Sequence, residues 1–129
     1  MIKTITHFRY HKMWGMLVLR LATGLVFVNH GWMKLNNLHS TASFFGSLGL
    51  PAGTATFIAL VEVIGGLMLA LGIVPRIAGL VLAIEMAVAL ILVAIPHGMY
   101  EFELMLLAAS LAIFLVGGGR LALYSMERE

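Results

Sequence analysis

The sequence contains no cysteine. That excludes structural disulfides, a thiolate nucleophile and iron–sulfur ligation. Charge is scarce as well. Only 11% of residues are Asp, Glu, Lys or Arg, against about 25% in a soluble domain. So few charges cannot cover a water-facing surface, and lipid must be the solvent for most of the chain. The small net charge of +2 leaves no case for nucleic acid as a partner. No glycine-rich phosphate loop follows a strand, and no Gly-x-Ser-x-Gly elbow occurs. Proline is confined to Pro51, Pro75 and Pro96, and each falls at a break in an apolar run.

What is present is apolar. Hydrophobic residues make up 61% of the 129 residues, and the mean hydropathy is +1.02. Crossing a bilayer core takes roughly 20 apolar residues in a helix. Four stretches meet that length, at about residues 13–33, 54–74, 77–95 and 99–118. Most connections are short, so neighbouring helices should run antiparallel. The expectation is an all-α protein, an integral membrane four-helix bundle with up-down-up-down order, forming a single membrane domain over residues 1–129. The first outer loop is the longest. Its Phe44, Phe45, Leu48 and Leu50 predict a short amphipathic segment lying in the interface. The less favoured alternative is a lid over the outer mouth.

The basic start MIKTITHFRYHK precedes an apolar run with no Ala-x-Ala-like cleavage site. That run reads as a retained membrane helix rather than a signal peptide. Lys3, Arg9, Lys12, Arg76, Arg120 and Arg128 fall on one side of the four spans, and Lys34 alone on the other. This bias predicts a multi-pass protein of the cytoplasmic membrane with both termini in the cytoplasm.

Residues 57–72 read FIALVEVIGGLMLALG, in which Glu62 alone is neither apolar nor glycine. Charged groups inside a membrane usually face the bundle interior and pair with one another. Glu62 and Glu85 fall near the centres of their spans, and Arg20 about 6 Å to the cytoplasmic side of the centre of the first. Arg20 is therefore the expected partner of Glu62, Glu85 or both, with snorkelling to the inner headgroups as its alternative. One arginine leaves one of the two carboxyls without a base, which favours a shared or titratable proton.

A second polar group gathers toward the outer face: His30, Lys34, His97, Tyr100, Glu101 and Glu103. Glu101 and Glu103 point in different directions, so at most one faces the core. The plain alternative for Lys34, Tyr100, Glu101 and Glu103 is headgroup anchoring. Small residues recur at packing intervals: Gly24 with Gly31, Gly66 with Ala70, Ala83 with Ala87, and Ala108 with Ala112. Gly65 and Gly66 leave room for a neighbour or a ligand beside Glu62. No metal is expected. His30, His97 and Glu101 are suitable ligand types but lack close helical pairing. A haem would need His30 and His97 to face each other, and the Pro-His-Gly turn weakens that. His7 and His11 read as solvated, and the methionines as filler or lipid-facing.

Three stretches carry a family resemblance. The first span reads LRLATGLVFVNHGWMKL. The loop and second span read FFGSLGLP and then ALVEVIGGLMLALGIVPR. The end reads YEFELMLLAASLAIFLVGGGRLAL. In this order they resemble the DoxX-like family of small four-helix integral membrane proteins, over about residues 17–124. One departure is Gly118, where many members have proline. The resemblance implies that fold. Some archaeal relatives are the membrane subunit of a thiosulfate:quinone oxidoreductase, and other bacterial relatives are associated with redox-stress or sulfur-handling complexes. The resulting expectation is a quinone-interacting membrane subunit of a redox complex. Arg20, Glu62 and Glu85 would form its intramembrane polar core. His30, Lys34, Glu62, Gly66 and Glu101 would be the quinone or lipid contacts. With no cysteine or flavin motif, electrons would come from a partner subunit or from direct hydride or thiol attack by a substrate; the expected partners are membrane lipid and either a redox subunit or further copies in a homo-oligomer. The alternatives are a small-solute or proton-coupled transport accessory and a purely structural assembly subunit.

Overall fold

In the computed structural model, residues 2–118 are described, with side chains for residue 12 and residues 14–118. His7, His11, Arg120 and Arg128 lie outside the described side chains. Among the described residues all regular structure is helical: α1 (Ile2–Asn36), α2 (Leu38–Ser47), α3 (Thr54–Leu71), α4 (Pro75–Ala89), a π-helical turn at Leu90–Ala94, and α5 (Glu101–Val116). Three helices are long and apolar enough to cross a membrane: Trp14–Asn36, Thr54–Leu71 and Pro75–Ala94. They correspond to the first three expected spans. α5, in the fourth, has 16 residues and carries Glu101 and Glu103 in its first turn.

The boundaries follow local chemistry. α3 ends where Gly72 takes a left-handed conformation at φ 74°, which glycine adopts without a steric penalty. Pro75 then opens α4 at its first positions, where a missing N–H is harmless. Between them Val74 is held at φ 40°, an unusual conformation for a β-branched residue. The π-helical turn is marked by the bond from the Ile95 N–H to the Leu90 carbonyl at 2.9 Å.

α1 and α3 pack most extensively, α4 and α5 next, and α3 against α4 much less. Glycine explains the first contact. A Cβ on Gly24 would sit 2.5 Å from the Gly66 carbonyl oxygen and 2.7 Å from the Ala70 nitrogen. A Cβ on Gly31 would sit 2.7 Å from the Ala59 carbonyl oxygen. Backbone therefore meets backbone, as small residues allow in membranes. Because Gly24 meets 66–70 and Gly31 meets 59–63, the two helices are antiparallel. Gly66 is thus filled by Gly24 and Val28 of α1, which leaves no room there for a ligand.

The α4–α5 contact departs from the expected alanine pairs. It runs through Gly79 against Ser110, while Ala108 is exposed. Gly118, the position of the family departure, is pressed against the ring of Pro75. The shared core comprises Phe27, Leu69, Ala78, Leu82, Met86, Leu106 and Ile113. Large apolar side chains such as Val18, Leu25, Ile64, Ile91 and Leu115 point outward, the pattern of a lipid-solvated surface.

Candidate functional site

The antiparallel register places the polar residues. Gly31 packs beside Ala59 and Val63, so Glu62 lies at its level, and Lys34 is one turn further along α1. The Lys34 ammonium donates to both carboxylate oxygens of Glu62 at 3.0 Å each. This ion pair is largely enclosed, with the Lys34 side chain 25% exposed and that of Glu62 2%. Gly65 of α3 packs on Leu82 of α4. Three residues outward on each of these antiparallel helices, Glu62 meets Glu85, and the two carboxyls are near enough to share a hydrogen bond.

The expected pairing of Arg20 is thus corrected. Lys34 is the cation on Glu62. Arg20 precedes Gly31 by eleven residues, about 16 Å of helical rise. It is fully buried near the middle of α1, and the ion pair on Glu62 is made by Lys34 instead. The physical reason is the register of α1 on α3. The helix continues unbroken to Asn36, and its second half is what packs on α3.

Lys34, Glu62 and Glu85 border a cavity of about 670 Å³, within the usual range for small-molecule sites. His30 borders it from α1 and Glu103 from α5. The His30 ring stacks on Phe102, with centroids 4.9 Å apart. Phe27, Met86 and Leu106 contribute apolar floor. α2 borders it through Thr41, Phe44, Phe45 and Leu48. Its Phe44 also meets the edge of His97 at 6.2 Å. The segment expected to lie in the interface thus also lends Phe44, Phe45 and Leu48 to the border of the cavity, with no residue of α2 buried.

Two further candidates fall elsewhere. Glu101 is exposed, and Glu103, two residues on, takes the inward position. His97 has its Nδ1 at 2.7 Å from the Val93 carbonyl. His30, His97 and Glu101 are not brought together, and among the described residues no three His, Cys, Asp or Glu side chains group closely enough to hold a metal ion. The pairing of Lys34 with Glu62 was missed in the sequence. Its signal lay in the glycines, since aligning Gly24 and Gly31 with the small-residue face of α3 sets Lys34 one turn above Glu62.

The arrangement is a membrane-embedded chamber with apolar walls and one compact polar corner. Such a corner can hold a hydrogen-bonding head group and exchange protons with it. No solved structure matches the chain. A protein of Bacillus subtilis (strain 168) named "Putative oxidoreductase CatD" is 39% identical over 112 residues, covering 84% of each chain. The profile of the DoxX family matches residues 15–95, which include α2, α3 and the whole glutamate pair. With that profile and that relative in agreement, the chain belongs to the DoxX family.

Proposed function

We propose that this protein binds a quinone-like lipid in the chamber beneath α2 and serves as the membrane subunit of a redox complex. The observation that carries the reading is the chamber itself, about 670 Å³ with Lys34, Glu62 and Glu85 at one corner. A quinone head group is flat, largely apolar and bears carbonyl acceptors. Its two-electron reduction takes up two protons, and its oxidation releases two. Lys34 balances one negative charge, so the two glutamates can hold one proton between them without net charge at the corner. His30 and Glu103 extend the line of exchangeable groups. The electrons come from a partner subunit that oxidises a sulfur compound or thiol. The name of the Bacillus relative supports an oxidoreductase role.

In this reading α5 completes an up-down-up-down bundle within a single membrane domain. The protein lies in the cytoplasmic membrane with both termini inside, as the distribution of Lys and Arg suggests. The test is binding of decylubiquinone to the purified protein in lipid nanodiscs. Replacing Glu85→Leu or His30→Leu removes a head-group hydrogen bond of about 1.5 kcal/mol, so each should weaken binding about tenfold. Wild-type affinity in both variants would reject the proposal. Glu62-dependent solute flux in proteoliposomes without a redox partner would instead favour transport.

A further inference from the structure

Several residues that wall the chamber on α3 and α4 are also exposed apolar side chains. Phe57 is 65% exposed on α3; Val81, Ile84 and Val88 are 44%, 57% and 50% exposed on α4. All four line the chamber. A residue that borders a cavity and also faces outward marks its rim. The two helices are joined by a tight turn at Gly72–Val74. Midway along their length they pack closely, with a Gly65 Cβ position 3.1 Å from Leu82. Their mutual packing is nonetheless sparse compared with the α1–α3 and α4–α5 contacts. The gap therefore lies at the end opposite the turn, beside the chamber. On the α2 side the chamber is bordered by Phe45 and Leu48, both half-buried, and by the more exposed Phe44. The polar corner sits at the back, where Lys34 on α1 meets Glu62.

We infer that the chamber is loaded sideways from the bilayer, between α3 and α4, by a single-tailed lipid whose polar head reaches the glutamates while its chain stays in hydrocarbon. The gradient of the lining requires this order. A tail at the rim meets Phe57, Ile84 and Val88, which are already solvated by lipid. A head at the back meets the only charged groups of the chamber wall among the described residues: Lys34, Glu62, Glu85 and Glu103. Entry from water would drive a head group past the aromatic face of α2. That the occupant is quinone-like rests on the functional reading above, whereas the route does not.

The chain has no cysteine, so a single nitroxide can be placed without background. Val61 and Ile58 are half-buried and line the chamber. Val61→Cys, with Ile58→Cys as an independent position, is labelled in lipid vesicles and its collisions with two relaxants are measured. Molecular oxygen concentrates in hydrocarbon, and a neutral nickel chelate stays in water. The expected result is oxygen collision approaching that at Leu115→Cys, a position 67% exposed, with nickel collision close to zero. Dominant nickel collision would show entry from water and overturn the route. Low collision with both, as when a second copy of the chain covers the rim, would overturn it too. Added decylubiquinone should then lower oxygen collision. If it does not while oxygen still dominates, the route stands and the quinone reading fails.

Discussion

Lys34 and Glu62 are worth most when considered as a unit. Breaking an enclosed pair by removing one partner strands the other charge and typically costs about 3–5 kcal/mol. Lys34→Met should therefore lower thermal stability sharply in detergent. Glu62→Gln added to that background removes the stranded charge and should recover most of the loss. A double substitution as unstable as Lys34→Met alone would show that the lysine acts through packing instead. The residue scale is also where sequence reasoning stopped short. Glu62 and Glu85 stand out because a carboxylate in an apolar run has few bland explanations. Lys34 does not, because a lysine at the end of a span is the ordinary headgroup anchor. Only the register of two helices distinguishes the two roles.

At the scale of elements, glycine decides which helices touch. A Cβ on Gly24 meets backbone atoms of Gly66 and Ala70, which cannot rotate away. Gly24→Leu should separate α1 from α3 and lower stability by about 1–3 kcal/mol, as overpacking does in other cores. Gly15→Ala is the matched control, since nothing lies within 4 Å of that position. It should be neutral or stabilising by up to about 1 kcal/mol through helix propensity. Thermal unfolding of both variants checks the contrast. The helices themselves were legible in the sequence, since uninterrupted apolar runs and three prolines mark three spans and their breaks. The α2 segment was legible only in part. Phe44, Phe45, Leu48 and Leu50 announce an apolar segment, but whether it rests on lipid or on protein depends on what lies beneath it. Arg20 was expected at Glu62 from depth alone, whereas the register of α1 on α3 brings Lys34 there. The π-helical turn, which no residue pattern announces, itself supplies Leu92 and Val93 to the chamber wall.

Across the whole molecule, the distribution of contact is uneven. α1 with α3 forms one closely packed pair, and α4 with α5 another. Between them stand a short turn, the shared core that Phe27 and Leu69 form with Leu82 and Ile113, and the chamber. Packed pairs behave as rigid units, and motion concentrates where contacts are few. The protein is therefore built as two half-shells on one pivot at Gly72–Val74, with Val74 already in a strained conformation. Small rocking at the pivot becomes a wide change at the far rim, where Phe57 faces Val88. Paired nitroxides on Phe57 and Val88 should give a broad distance distribution by pulsed dipolar spectroscopy, and a pair on Trp32 and Leu60, within one half-shell, a narrow one. Equal widths would mean a single stiff body. In a two-shell molecule the volume beneath α2 is not a fixed quantity. The same chain can grip a head group in one posture and surrender it in another.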